Sequence, residues 1–401
     1  MKVGVYLGQQ APDVGGGYTF QDEIIHSFLQ QAETSKHSFC VICDGKHVRH
    51  YENLASGLAN VEVAGVPKTA FVERIKNRLK ISSAFAREQL KAPNPLDRLA
   101  LRHGIDIIWC LSAGPVLVEA PYITVVWDLQ HRLQPWFPEV SGEGQWDFRE
   151  STYSWFLRRA TVVIAGNEAG REEIHSFYQV PRERIRLLPH PTPEFALQYH
   201  TNMQSVTDIR SKYGIIGDYV FYPAQFWAHK NHVNLLYAIH HLRNHRGIQL
   251  EVALSGSDKG NRKHIENIVK ELGLVDAVHF LGFIPQEDLV ELYRQAVALT
   301  YVSFFGPENL PPLEAFALGC PVVASKVSGS EEQLGDAALL VDPKNHEEMA
   351  KAIEAVYRNG ALRKQLIDAG RNRAEHWQVR DFVNGVFHVL EEFEAVRRCW
   401  A

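Results

Sequence analysis

No apolar run in this chain reaches the roughly 18 residues that a membrane-spanning helix needs, so the sequence predicts no transmembrane segment. Positive charge is not in excess either. The 42 Lys and Arg are outnumbered by 47 Asp and Glu, for a net charge of -5. A nucleic-acid partner usually demands a basic surface that displaces counterions from phosphates, so none is expected. Cysteine is scarce, with five in the whole chain, which fits a reducing compartment rather than a disulfide scaffold. Cys40 and Cys43 do form C-x-x-C, in FCVICDG. The period-2 alternation of a strand would send the two thiols to opposite faces, so they read as core residues and not as a redox or metal pair. Neither G-x-G-x-x-G nor a Walker loop occurs, so nothing favours a dinucleotide dehydrogenase or a P-loop NTPase.

What is present is a rhythm. At 401 residues the chain is too long for a single core, and two domains are expected. The opening MKVGVYLG reads as a first strand rather than a signal peptide. Short runs rich in Val and Ile recur after it, among them 39–44, 61–66, 105–112, 122–128, 161–167 and 185–190. A second series covers 219–225, 250–256, 278–282, 298–303, 321–325 and 337–342. Helically spaced stretches lie between most of them. Strands apolar on both faces, alternating with helices, predict two doubly wound parallel sheets of α/β class. The stretch LLPHPTPEFALQYHTNMQS separates the two series, and its three prolines make it the candidate linker. Two such lobes leave a cleft, and ligands of open parallel sheets sit beyond the carboxyl ends of the strands.

Three segments point to that cleft. In YVSFFGPENLPPLEAFALGCPVVAS a strand is followed by a helix with Pro311 and Pro312 in its first turn, where a missing N–H costs nothing. Such a helix start attracts anions, with the amides of Asn309, Leu310 and Leu313 as the remaining donors. Glu314 leans back toward the same end. A carboxylate repels phosphate but accepts two hydrogen bonds from a vicinal diol, so the pattern suits a phosphate beside a ribose: a nucleotide. In FYPAQFWAHKNHVNLLYAI, Lys230 stands at the mouth of another helix, placed to meet a diphosphate. In GQQAPDVGGGYTFQDEI, the glycines 15–17 allow close backbone approach after the first strand, and Thr19-x-x-Asp22 has capping-box spacing. His241 and His245 have the i, i+4 spacing of a ligand pair, but lack a third ligand nearby in sequence and read as an exposed helix face. Within the basic stretch FVERIKNRLKISSAFAREQLKAPNPLDRLALRHG, Phe71, Ile75 and Leu79 share a helical face. That face either packs on the sheet or touches anionic lipid or a phosphate-bearing acceptor.

Together these segments resemble glycosyltransferase family 4, whose fold is GT-B: two Rossmann-like lobes facing a cleft. The resemblance implies a retaining hexosyltransferase that uses a UDP- or GDP-linked sugar and a glycan or lipid-linked glycan acceptor. It implies no cofactor and no essential metal, and no D-x-D occurs in the chain. The acceptor lobe would comprise residues 1–195 with a C-terminal helix, about 378–401, packed back on it; residues 205–377 would bind the nucleotide sugar. The setting would be cell-surface polysaccharide assembly, cytoplasmic or peripheral at the inner face of the plasma membrane.

By the same resemblance Glu314 matches the second glutamate of the E-x7-E motif, the ribose-binding one, and Lys230 the lysine that neutralises the diphosphate. The first glutamate is replaced by Gly306, with Glu308 two residues later as its substitute. Gln225 stands where the family has an arginine, and Phe283 where it places its base-binding backbone. Gly16 and Gly17 would meet the sugar, and Asp128 and His131 would stand near the reacting groups, His131 as the candidate catalytic histidine. A catalytically silent nucleotide-sugar or glycan binder, or a nucleotide-sugar epimerase, are the alternatives.

Overall fold

The computed structural model describes residues 1–8, 16–66, 95–111, 118–201 and 208–400. Gly15 and the basic segment around Phe71, Ile75 and Leu79 lie outside the described residues. Thirteen strands form two sheets, all of their pairings parallel. The first runs in the order β3-β2-β1-β4-β5-β6-β7, using β1 (Lys2–Tyr6), β2 (Ser38–Asp44), β3 (Val61–Val66), β4 (Ile107–Cys110), β5 (Tyr122–Val125), β6 (Val162–Ala165) and β7 (Ile185–Leu187). The second runs β10-β9-β8-β11-β12-β13, from β8 (Tyr219–Pro223), β9 (Glu251–Ser255), β10 (Val278–Gly282), β11 (Ala298–Tyr301), β12 (Val322–Ser325) and β13 (Ala338–Val341). Every strand falls on one of the apolar runs, because helices cover the faces of each sheet and most strand side chains are buried against apolar neighbours. Cys40 and Cys43 point into cores on opposite faces of the first sheet. Burial pushes their thiols up to about 12 and about 11, so neither supplies a thiolate.

In each sheet the strand order reverses once, between β1 and β4 and between β8 and β11. Loops leaving two such strands diverge to opposite faces and open a crevice at their carboxyl ends. Lys230 follows β8, and the loop to Glu314 follows β11. The fold therefore delivers both segments to one edge of the second sheet.

The predicted linker is not a bare tether. Its second half forms the helix Glu194–Thr201, with Ala196 fully buried in the second lobe's core. The chain returns beside its own outward path. Thr192 bridges Gln378, and Trp377 Nε1 donates to the Pro189 carbonyl at 2.8 Å. The last helix, Val379–Arg397, then packs on the first lobe against the helix Gly16–Ala32. Its apolar residues Val379, Phe382, Val383, Val386 and Leu390 follow 3- and 4-residue spacing and are buried. Each such burial is worth roughly 1.5–3 kcal/mol. The first-lobe helix runs Gly16–Ala32, so Thr19 lies within it rather than at its N-cap position. Among the described residues no helix is long and apolar enough to cross a membrane.

Candidate active site in the interlobe cleft

Lys230 closes a 3-10 turn, Ala228–Lys230, after β8. Asn231 follows with φ 57°, a left-handed conformation that asparagine tolerates better than most residues. Its buried side chain donates to the carbonyls of Val302 at 2.8 Å and Pro343 at 2.7 Å, which ties the turn to the ends of neighbouring strands. Lys230 is thereby aimed across the carboxyl end of β11. Its Nζ donates to Tyr301 Oη at 2.9 Å and lies 5.1 Å from the centre of that ring. The ammonium is half-buried and has no carboxylate partner among the described ion pairs.

After β11 the chain loops through Val302–Asn309 into the helix Leu310–Leu318, with prolines in its first turn as predicted. Glu314 is 8% exposed and accepts from Tyr293 Oη at 2.7 Å. Burial pushes its carboxyl up to about 7; the tyrosine bond acts against that, and Glu23 across the cleft adds to it. Tyr293 is itself raised, by burial first and then by Glu314, with Tyr301 among the smaller causes. The ammonium of Lys230 and the carboxyl of Glu314 thus each rest on a tyrosine hydroxyl. The helix start differs from expectation in one respect. The Asn309 amide donates to Gln333 Oε1 at 3.0 Å, and the Asn309 carbonyl accepts from Gln333 Nε2 at 3.0 Å. Of the three predicted amide donors, Asn309 is therefore already engaged by the Gln333 side chain. Leu310 is buried and its side chain joins the first lobe's core.

Gly306 has φ 145°, and a Cβ there would fall 2.5 Å from Asn309 Oδ1. Any other residue at 306 would strain this loop, so the site lacks the first carboxylate for a steric reason. Glu308 does not take its place beside Glu314. Its side chain crosses to the first lobe, where Oε1 accepts from the His190 amide at 2.9 Å and Oε2 lies 3.6 Å from His190 Nδ1. Gly166 makes room for it: a Cβ there would sit 1.3 Å from Glu308 Oε2. Burial, against the pull of the His190 amide, pushes the Glu308 carboxyl up to about 8. Burial pushes His190 down to about 4. Both are neutral near pH 7.

The first lobe corrects a second expectation. His131 is fully buried; its Nε2 lies 2.8 Å from Tyr178 Oη and its ring packs on Tyr153. Burial lowers it to about 4. It is a core histidine of the first lobe and does not face the cleft. Trp127, four residues earlier, packs with Phe20 and His190 at ring separations of 5.9 and 6.3 Å. Asp128 accepts from the Gln130 amide at 2.9 Å and pairs with Arg149. Burial would raise its carboxyl, but Arg149 and that amide outweigh it, and the net direction is down.

Gln225 Oε1 accepts from Trp227 Nε1 at 3.0 Å. Phe283, just past β10, is 81% exposed. Gly16 opens the first-lobe helix and Gly17 follows in its first turn.

Three polar groups that sequence reasoning missed join the lobes. His229, next to Lys230, pairs with Glu139 through both its ring and its amide. Gln134 Nε2 donates to the Phe304 carbonyl at 2.9 Å, and Asn167 Nδ2 to that of Pro307 at 2.9 Å. The tripeptide Ala-His-Lys was the available signal for His229, but nothing local announces its partner 90 residues away. Beside these contacts the cleft widens into a groove of about 750 Å³, lined by Leu133, Trp136, Phe137, Phe304 and Lys344 among others. That volume is within the range of ligand sites.

Residues 207–373 match the family described as glycosyl transferases group 1, and residues 24–193 match glycosyltransferase family 4. Over 210 residues the chain is 28% identical to O-antigen chain mannosyltransferase B of Escherichia coli, covering 51% of this chain and 54% of that protein. A segment of the same length is 24% identical to an uncharacterized glycosyltransferase of Methanocaldococcus jannaschii, covering 51% and 53%. The chain thus spans about half the length of these curated relatives. Among solved structures, a glycosyltransferase from Rickettsia africae superposes with a TM-score of 0.69 at 13% identity, over 98% of both chains. Anabaena HepE, solved in complex with UDP and glucose, superposes with a TM-score of 0.68 at 17% identity, over 98% of this chain and all of that one. The parallel sheets, the cleft and the matches over both lobes make this chain a member of glycosyltransferase family 4 with the GT-B fold.

Proposed function

We propose that the protein transfers a hexosyl group from a UDP- or GDP-linked sugar to a hydroxyl of a glycan or lipid-linked glycan, with retention of configuration, in building cell-surface polysaccharide. The observation that supports this reading is that Lys230 follows β8 and the helix bearing Glu314 follows β11, the two strands between which the second sheet reverses its order. An ammonium about 4 Å from a diphosphate interacts by roughly 4 kcal/mol at an effective dielectric near 20. The solved relative with UDP and glucose, and the O-antigen mannosyltransferase, are consistent with such a donor and product. In this reading residues 205–377 hold the nucleotide, with Glu314 on the ribose. Residues 1–195 and the final helix hold the acceptor, at the cytoplasmic face of the membrane.

The C–O bond between sugar and diphosphate breaks as the acceptor oxygen approaches the same face of the sugar. A leaving phosphate oxygen takes the acceptor proton. Lys230 and the Leu310 amide at the helix start carry the charge that develops on the diphosphate, so the step needs no resident metal.

Screening UDP- and GDP-hexoses for thermal stabilisation, then for acceptor-dependent product by mass spectrometry, tests the proposal. One nucleotide class should raise the melting temperature and support transfer. Absence of stabilisation by either class would overturn it. Gly306 favours one rival, a silent binder, which would show stabilisation without turnover; an epimerase would convert the donor with no acceptor present. For Glu314→Ala we expect nucleotide affinity to fall about tenfold, ~1.4 kcal/mol, by calorimetry. Unchanged affinity would remove Glu314 from the ribose.

A further inference from the structure

We propose that His241, His346 and Glu347 form a binding site for a late first-row divalent cation, Zn²⁺ above all, on the outer face of the second lobe, with His245 next to His241. The helix His232–His245 carries His241 and His245, one turn apart, with ring centres separated by 4.9 Å. The sequence offers them no third ligand, but the fold does. The helix His346–Arg358 packs alongside and presents its first two residues to the same spot. Nitrogens of His241 and His346 and a carboxylate oxygen of Glu347 all lie within 4.8 Å of one another. His241 and His346 are half-buried, while His245 and Glu347 are exposed, so the side chains can contract around an ion without moving the backbone.

The chemistry of the set selects the ion. Two imidazoles and a carboxylate suit Zn²⁺, Ni²⁺ or Cu²⁺ and not Mg²⁺ or Ca²⁺, which prefer all-oxygen shells. His241 and His245 occupy the last turns of their helix, whose partial negative charge favours a cation. Glu347 offsets the opposite polarity at the start of the second helix. Arg246 is the nearby opposing charge, and it is drawn off toward Glu354, with 3.6 Å between Nε and Oε2. The other cluster of this kind, Cys40, Glu62 and His103, is weaker. Lys2 Nζ already occupies Glu62 at 2.8 Å, and burial holds the Cys40 thiol protonated.

His241 lies ~14 Å along the helix from its start beside Lys230, too far to touch a reacting donor. A bound ion would act mechanically. The start of the first helix is already tied to the segment that leads into the second, where Asn231 and Asn234 donate to the Pro343 carbonyl at 2.7 and 3.1 Å. A metal would fasten the two helices at a second point and hold the turn that presents Lys230.

Calorimetric titration of the tag-free chain with ZnCl₂ at pH 7.5, with thermal melts in parallel, tests this. Stoichiometric binding of a single ion and a raised melting temperature are expected, with no effect of Mg²⁺. His241→Ala and His346→Ala should each weaken binding about tenfold or more, whereas His264→Ala, on a different helix, should not. Failure to bind Zn²⁺, or equal binding by the His241 and His346 variants, would overturn the site.

Discussion

Lys230→Ala should lower turnover by about a hundredfold or more, equivalent to about 2.7 kcal/mol of transition-state stabilisation. The expectation follows from how the residue is held. Its backbone is fixed by the Asn231 contacts to Val302 and Pro343, and its ammonium rests on a neutral tyrosine hydroxyl rather than a carboxylate. A cation without an anionic partner is available to one that arrives. Charge on a diphosphate grows as the sugar leaves, so the interaction strengthens in the transition state and its loss should fall on kcat more than on KM. Lys230→Arg keeps the charge and should recover part of the rate. Near-normal transfer by the alanine variant, measured under saturating donor, would separate Lys230 from the chemistry.

Glu308→Gln should change how stability depends on pH. The carboxyl titrates near 4.5 in an unfolded chain and about 8 in the folded one. Below pH 4.5 both states hold the proton and the folded state has its full advantage. Between those values folding takes up a proton, so stability falls as pH rises, by at most about 1.4 kcal/mol per pH unit. The loss is complete above about 8, for an upper bound of ~5 kcal/mol. Glutamine fills the same space, can still accept from the His190 amide, and has no such slope. Melting curves at pH 5, 6.5 and 8 should therefore show the variant gaining on the native protein with each step. His190, Glu314 and other titrating groups are common to both chains and cancel in the difference. Parallel curves would show that the carboxyl at the lobe junction ionises normally.

The two sheets were legible because their signal is local. A strand buried on both faces is apolar at most positions, as in the fully buried β4, β5, β6, β11 and β12. Lys230 and the Leu310 helix were legible for a related reason: both follow directly on a strand, and the strand order fixes where they point. His131 was not. It lies three residues beyond Asp128, but its burial depends on Tyr153 and Tyr178, contributed by helices whose packing leaves no mark near position 131. Glu308 was misread for the opposite reason. Its place two residues after Gly306 made it the substitute for the first glutamate, yet a positive φ at Gly306 turns the loop and a glycine at 166 opens a hole for the side chain in the other lobe. The Gln333 bond to Asn309 and the His229–Glu139 pair were invisible because each joins residues far apart in the chain. His346 is the instructive case, since the pair at 241 and 245 was plain from spacing while its completion needed helix packing to be known.

The last helix has a consequence for biogenesis. Phe28, Phe39 and Trp109 of the first lobe pack in one cluster with Val383, Val386 and Leu390. On the ribosome those early residues emerge long before the final ones are made. The first lobe therefore cannot close its core until the helix Val379–Arg397 has been made, and its apolar flank stays open to solvent or chaperone throughout synthesis of the second lobe.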